Sequence, residues 1–504
     1  MTATESTAQA EPIGAGAPSH PEQMWPQANW AAIRAEVKRL QVRIAKATKE
    51  GRWNKVKSLQ RLLTHSHSGK MLAVKRVTEN RGKRTPGVDG KIWSTPGAKW
   101  TGMQSMQLRR YRALPLRRIY IPKSNGKKRP LGIPCMQCRA MQALWKLALE
   151  PVAETLADPN SYGFRAERST ADAISQCFNA LAKRKSPAWI LEGDIRGCFD
   201  NISHAWSLEN TPMDKQFLRK WLRAGYIEEG TLFATDAGTP QGGIISPVIA
   251  NMALDGLEAA IYASVGPTLH ARRKFKINVV RYADDFVVTG ISKECLEDKV
   301  LPAVQQFMAV RGLELSEEKT KITHIAKGFD FLGQNVRKYA EKLLIKPARR
   351  SVKALMDKVR EIVKTNKGAT QADLIRQLNP VIRGWAMYHR HVVSKSCFSS
   401  IDSQIWQLLW QWAMRRHPMK GARWVRRKYF HSEGNHYWIF ATMDKVDGYY
   451  QWLRLFRATT ISIVRHAKIR SAANPFDSAW EPYFAHRRAA NHHSVSAFGA
   501  RQWC

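Results

Sequence analysis

The chain has 504 residues, length for about three or four domains, and its 81 Lys plus Arg against 41 Asp plus Glu leave a formal charge of +40. Such an excess repels itself unless a polyanion neutralises it, which disfavours an enzyme of small neutral metabolites and makes nucleic acid the first candidate partner. Seven scattered cysteines argue against a disulfide-stapled secreted scaffold, and with neither an apolar run long enough to span a bilayer nor a signal-type N-terminus, the pattern reads as a soluble intracellular protein.

Residues 1–29 are rich in Ala, Pro, Gly, Ser, Thr and Glu and hold no Lys or Arg, which predicts a disordered lead-in. Basic helical sequence follows: Ile33, Val37, Leu40 and Ile44 recur at helical spacing, and a second helical stretch covers about 53–63. The run from Glu79 to Gly90 is loop chemistry that could meet phosphates. Leu116 to Pro134 reads as two strands joined by Ser124-Asn125-Gly126, with cations crowding the tip. A helix over 139–157, interrupted near Pro151, leads to Tyr162-Gly163-Phe164-Arg165 and a further helix over about 169–183.

Trp189 to Asp194 begins as a buried strand and ends in a turn. A long helical stretch to about Gly225 precedes Gly238-Thr239-Pro240-Gln241-Gly242-Gly243, a glycine-rich turn opening a helix that runs to about Ala260. Apolar runs flank Tyr282-Ala283-Asp284-Asp285, so two adjacent carboxylates fall at a hairpin turn. Helix over 296–310, strand over 312–322 and a short strand at 329–333 complete this part. From Arg350 two apolar helical stripes follow, one through Val352, Leu355, Met356, Val359, Ile362 and Val363 and another through Leu374, Ile375, Leu378, Ile382 and Trp385. The last hundred residues are basic and aromatic. Their dense point holds Arg415, Arg416, Lys420, Arg423, Trp424, Arg426, Arg427 and Lys428, where interleaved rings favour a nucleic-acid surface over an ordinary solvated charge run.

Taken alone, an Asp-Asp dipeptide reads as a solvated turn. With Asp194 also at a strand end, however, neighbouring strands would bring three carboxylates to one edge. Mg²⁺ binds through a few carboxylates plus substrate phosphates, and a pair of such ions serves nucleotidyl transfer.

The series Arg129-Pro130-Leu131-Gly132-Ile133-Pro134, Tyr162-Gly163-Phe164-Arg165, the Asp194 segment, Pro240-Gln241-Gly242, Tyr282-Ala283-Asp284-Asp285, Lys319-Thr320 and Phe331-Leu332-Gly333 resembles the group II intron-encoded reverse transcriptase–maturases. The resemblance covers about 30–490, and its specificity lies in the order of the series. It implies an α+β right-hand polymerase, with fingers and an antiparallel palm sheet followed by an α-helical thumb and a basic DNA-binding tail. The matching boundaries are 30–185 for the N-terminal extension and fingers, 186–343 for the palm, 344–412 for the thumb or maturase domain, and 413–504 for the DNA-binding domain and tail.

Carried over by position, the family pattern makes Asp194, Asp284 and Asp285, with the carbonyl of Ile195, ligands of two Mg²⁺ ions, for which Mn²⁺ could substitute. Lys123 and Arg129 match residues that hold the incoming triphosphate. Gln241 and Gly242 match the turn beneath the nucleotide, and Phe199 matches the bulky residue where a ribose 2′-OH would project. Lys319 matches a lysine that protonates departing pyrophosphate; read without the family, Phe199 is a core aromatic and Lys319 a surface cation. Arg383 and Trp385 fall in the part that grips template–primer and intron RNA.

The partners implied are group II intron RNA, target-site DNA and deoxynucleoside triphosphates, with no membrane, in a bacterial cytoplasmic ribonucleoprotein. Its oligomeric state stays open. The function implied is maturase-assisted splicing and target-primed copying of the intron into DNA during retrohoming; the alternatives are a defence- or CRISPR-associated reverse transcriptase and a splicing-only maturase. Many relatives continue into an HNH nuclease with paired Cys-x-x-Cys motifs. This chain ends at Trp503-Cys504, and Asn491-His492-His493 cannot build that site alone, so no endonuclease is expected. Cys135 and Cys138 have zinc-like spacing without a second ligand pair, which favours buried packing.

Overall fold

In the computed structural model the residues described are 21–122, 126, 128–239, 241–434, 436–446 and 448–499, without the side chains of 436, 446 and 491–499. The expected lead-in through residue 20, Lys123, Pro240 and Trp503-Cys504 lie outside them, as do the side chains of Asn491-His492-His493. From Pro21 onward the disorder expectation is corrected. Residues Pro21–Met24 form a helical turn, and Trp25 is buried in the core, 5.0 Å from the Trp30 ring. The reason is local: one aromatic pair outweighs a polar composition averaged over the whole lead-in.

Helices Trp30–Lys49, Trp53–His65 and His67–Glu79 pack around the helix Met136–Leu156. Side-chain caps from Asn29 and Ser66 satisfy N-terminal amides of the first and third. Met136–Leu156 is buried over most of its length and runs unbroken through Pro151, where an interruption was expected. Cys135 and Cys138 are buried at its start.

Among the described residues there are four sheets, and the one that holds Trp189–Asp194 carries the site. Strands β1 (Leu116–Pro122) and β2 (Lys128–Ile133) form the antiparallel hairpin. After β3 (Trp189–Asp194), strands β4 (Tyr226–Glu228) and β5 (Thr231–Phe233) extend the first sheet in the order β2-β1-β4-β5. The central sheet takes β6 (Asn278–Tyr282), β7 (Asp285–Gly290) and β8 (Lys321–His324) in the order β6-β7-β3-β8. Its neighbours are all antiparallel, so β3 is a central strand and is buried on both sides. Strands β9 (Phe329–Phe331), β10 (Gln334–Tyr339) and β11 (Lys342–Pro347) form a third sheet.

Three expected elements differ. The long helix toward Gly225 is three short ones, Cys198–Asn201, His204–Asn210 and Lys215–Leu222, because Ser203 and Asp214 each cap a new start. The helix expected to reach Ala260 stops at Leu254 and restarts at Leu257 past Gly256, whose φ is 93°. The strand expected over 312–322 begins only at Lys321, with an isolated bridge from Leu315 to Ile195 before it.

Beyond β11, helices Arg349–Thr365, Gln371–Tyr388 and Lys395–Arg416 share one apolar core. The helix Ala422–Tyr429 then feeds an unpredicted three-stranded antiparallel sheet of β12 (Phe430–Glu433), β13 (His436–Val446) and β14 (Tyr449–Arg454), in the order β12-β13-β14. The segment after it returns to the front of the molecule. Arg168 donates to the carbonyls of Ser471 and Ala473, and Lys38 donates to that of Pro475.

The tightest point of that return is Asp172, fully buried at the start of helix Thr170–Leu181. It accepts hydrogen bonds from the Ile469 N–H (2.7 Å) and the Arg487 guanidinium (2.8 Å), and His466 Nε2 lies 2.9 Å away. Burial alone would raise the Asp172 carboxyl, but these partners outweigh it and hold it at about 2. Among the described residues no helix is long and apolar enough to cross a membrane.

Candidate active site

The registers of the central sheet set the site. Asp194, the last residue of β3, lies directly opposite Asp285, the first residue of β7, which also closes the hairpin against Tyr282. Directly opposed residues have Cβ atoms about 5 Å apart, so two carboxylates face each other at one sheet edge with Asp284 in the turn beside them. Withdrawal from water, then the charges of Asp284 and Asp194 and a hydrogen bond with Asp194, push the Asp285 carboxyl up to about 7. Burial and Asp194 also raise Asp284.

Lys319 reaches the same edge from a turn pinned to the strand end. The Ser316 N–H donates to the Asp194 carbonyl (2.8 Å), and the amides of Lys319 and Thr320 donate back to the Ser316 carbonyl. The Lys319 ammonium then donates to Asp194 Oδ2 at 2.7 Å, a bond that raises the lysine's pKa. The same ladder defines Ile195. Asp194 and Arg196 make the backbone bonds to the 314–316 segment, so the Ile195 carbonyl faces the opposite way, past the end of β7 and toward the aspartate turn.

Close backbone approaches hold the turn in place. Gly163 lies flat against it, where a Cβ would fall 2.3 Å from the Ala283 nitrogen. Gly193 leaves room for the Phe286 ring, which a Cβ would meet at 2.1 Å. Ala283 itself has φ 56°, a left-handed conformation costly for a residue with a Cβ, and the packing around it sustains that strain.

Behind the turn is a buried polar network that the sequence reading missed. The Arg281 guanidinium, 1% exposed, pairs with Asp255 and donates to the Asn251 side-chain oxygen at 3.2 Å, while Asn251 donates to the Gly163 carbonyl at 2.8 Å. Asp158 and Glu258 join by accepting from the amides of Gly256, Glu258 and Asn160. Burial pushes the Asp255 carboxyl up to about 6 against the pull of Arg281. One signal was available: a lone arginine inside an apolar strand must find a buried partner.

The fingers side meets this edge through Gln241. Its Oε1 accepts from Arg129 Nε (2.8 Å), its Nε2 donates to Asp200 Oδ2 (2.9 Å), and its carbonyl accepts from the Gly132 N–H (2.7 Å). Gly242 packs so close that a Cβ there would meet the Gly132 carbonyl. Phe199 is buried, edge-on to Phe164 at 6.2 Å, and its carbonyl accepts from the Thr239 N–H. Asp194, Ile195, Phe199, Gln241, Gly242, Asp284, Asp285, Arg129 and Lys319 thus line one region.

The remaining candidates lie in the helical part and beyond it. Trp385 is spent internally, donating to Ser351 Oγ and packing on His389 and Phe398. Arg383 lies over the Phe456 ring, and Arg416 donates to the carbonyls of Lys367 and Ala369. Arg415, Lys420, Arg423, Trp424, Arg426, Arg427 and Lys428 are exposed, with Lys420 and Lys428 near the Trp424 ring.

Residues 121–336 match the reverse transcriptase (RNA-dependent DNA polymerase) family, residues 25–106 the N-terminal domain of reverse transcriptase, and residues 352–430 the group II intron maturase-specific domain. The chain belongs to the group II intron-encoded reverse transcriptase–maturases. It is 32% identical to Protein YkfC of Escherichia coli K12 over 321 residues, which are 55% of this chain and 83% of that protein. It is 29% identical to the group II intron-encoded protein LtrA of Lactococcus lactis over 343 residues, covering 53% of this chain and 56% of LtrA. A 91 kDa protein in the cob intron of Schizosaccharomyces pombe is 30% identical over 288 residues, 46% of this chain and 35% of that protein. The reverse transcriptase–maturase therefore has the α+β polymerase fold of its family, an RNA-directed DNA polymerase with a maturase domain.

Reverse transcriptases use divalent cations. Among the described residues no three His, Cys, Asp or Glu side chains already converge on one point, and Lys319 takes one Asp194 oxygen. The donor set nevertheless suits a hard cation: three carboxylates meet at one edge, where burial and then mutual repulsion raise Asp285 and a cation would relieve that repulsion.

Proposed function

We propose that this reverse transcriptase–maturase binds its group II intron RNA, assists splicing, and copies the RNA into DNA from a primer at the target site during retrohoming. The observation that carries the reading is the pairing of Asp194 with Asp285 beside Asp284. Asp194, Asp284, Asp285 and the Ile195 carbonyl would hold two Mg²⁺ ions, with Mn²⁺ able to substitute. When bound, such ions lower the barrier to 3′-hydroxyl attack and neutralise charge on the departing pyrophosphate.

Lys319, kept protonated by Asp194, is the acid for the pyrophosphate, and Arg129 with Lys123 binds the triphosphate. Gln241 and Gly242 form the floor under the base, fixed by Arg129 on one side and Asp200 on the other. The Phe199 ring excludes a 2′-OH by bulk, which selects deoxynucleotides. Fingers end near 185, palm near 343 and thumb near 412; the basic residues from Arg415 to Lys428 then track target-site DNA. The protein works in the bacterial cytoplasm as a ribonucleoprotein.

The test is Asp284→Asn in primer extension on an RNA template. Extension should fall by at least about 10³-fold, the scale for losing one member of a catalytic set, while affinity for RNA stays at the parent value. Undiminished extension would remove Asp284 from the chemistry.

A further inference from the structure

The two faces of the central sheet are covered from different parts of the chain. Val279, Phe286 and Val288 pack on one side with the helices Ser246–Leu254 and Leu257–Ser264, whereas Ile190, Val280 and Val287 belong to the other. On that second face Ala173, Ile174 and Cys177 of helix Thr170–Leu181 share one core with Ile469, Ala473 and Phe484. Val280 and Val287 are paired in the hairpin that carries Asp284 and Asp285, so residues from the far end of the chain back the aspartate turn.

The edge of the same sheet is closed by residues 160–163. The Tyr162 N–H donates to the Arg281 carbonyl (2.9 Å) and the Arg281 N–H to that of Asn160 (3.0 Å), which lays Gly163 on Ala283. This edge has an anchor of its own. Arg165 and Arg168 both bind Glu154, at 2.7 and 3.3 Å, and Arg168, its side chain only 1% exposed, also donates to the carbonyls of Ser471 and Ala473.

Asp172 joins the two supports. A carboxylate in an apolar core is tolerated only while it is paired, and Asp172 meets that need with the His466 ring, the Ile469 N–H and the Arg487 guanidinium, besides Ser169 at its own helix start. One Arg487 nitrogen lies 2.8 and 3.1 Å from the two Asp172 oxygens, and another donates to the Glu167 carbonyl at 2.7 Å. Apolar burial would hold these parts together without fixing their offset, whereas charge-assisted bonds from a planar guanidinium set position as well.

We infer that the segment from His466 to Arg487 positions the polymerase corner, with Arg487 and His466 acting through Asp172 and the carbonyls of Ser471 and Ala473 acting through Arg168. These are positioning residues, each working through a neighbour rather than on the reacting atoms. The inference rests on the reading of Asp194, Asp284 and Asp285 as the reacting edge.

The test is rapid-quench addition of one deoxynucleotide by the full chain on a preformed RNA template–DNA primer hybrid, at saturating nucleotide, which separates the rate constant of the first turnover from its amplitude. A shift of ~1 Å at a reacting edge costs about 100-fold. Arg487→Met leaves the other partners of Asp172 in place and should lower the rate constant by about tenfold, with the amplitude and the hybrid Kd at parent values. Arg487→Lys, which keeps a cation at the seam, should recover most of that loss. His466→Leu, which removes one Asp172 partner and decides the matter should Arg487→Met not fold, should lower the rate constant by about threefold. A parent rate constant in Arg487→Met and His466→Leu, a loss confined to the amplitude, or equal losses in the Met and Lys variants overturns the positioning role and leaves the segment a stabilising clasp. Parent activity in Asp284→Asn would instead sink the reading of the corner itself.

Discussion

The central sheet β6-β7-β3-β8 presents its polar groups from strand ends, whereas β12-β13-β14 presents rings from a face. At the first, Asp194, Asp284 and Asp285 come from a buried, over-determined corner in which Gly163, Arg281 and Asn251 leave the turn no freedom. At the second, only the inner face is anchored and Tyr450 and Trp452 stand in water. Chemistry that depends on ångström placement sits where packing fixes it, whereas rings free to shift stand where packing does not.

The difference predicts unequal responses to equally small changes. At the corner, Gly163→Ala puts a Cβ 2.3 Å from the Ala283 nitrogen. The displaced turn should cost on the order of 100-fold in kcat for primer extension with RNA Kd unchanged, and a parent kcat would show that the corner gives. Phe199→Ala should lower the deoxy-to-ribonucleotide ratio of kcat/KM by about 10- to 100-fold; an unaltered ratio would leave Phe199 a core ring only.

Between the two regions, His389 is fully buried with Ser351 at 3.2 Å. Burial and then His391 lower its pKa from 6.5 to about 4. An unfolded chain therefore takes up its proton below about pH 6.5 while the folded one refuses it until about 4, so stability is full above that window and falls through it. Acidifying from pH 7 to 5 should cost about 2 kcal/mol in urea unfolding through this residue, and His389→Gln should flatten the curve by that amount.

The smallest effect belongs to the exposed basic helix. Arg427→Gln should reduce the magnitude of the salt slope of nucleic-acid binding by about one and weaken affinity alike for all sequences. A sequence-selective loss would mean that Arg427 reads bases.

Much of the corner was legible because strand ends announce themselves: apolar runs stop at Asp194 and at Tyr282, and the glycines beside them mark close approaches. The network behind it was not, since Asn251 and its helix's C-cap Asp255 belong to the helix Ser246–Leu254 and Asp158 to a distant turn, and only the fold sets the first two against Arg281 and the third against Gly256. The sheet from Phe430 to Arg454 was hidden for another reason: the basic, aromatic run from Arg415 to Phe430 ahead of it set the reading for the whole C-terminal stretch, and the alternation of Trp438, Phe440 and Thr442 with their neighbours was passed over. Pro151 misled by rule, since a proline within a helix enforces a break only where the surroundings cannot hold the chain.

The lock on Asp172 carries a consequence for how the protein is made. Its partner Arg487 is translated 315 residues later, roughly 15–60 s at bacterial elongation speeds of about 5–20 residues per second. Until then the carboxylate has to stay hydrated, so the nascent front half waits on the ribosome with that seam open. A premature stop before residue 487 would release a chain in which Asp172 lacks its guanidinium partner.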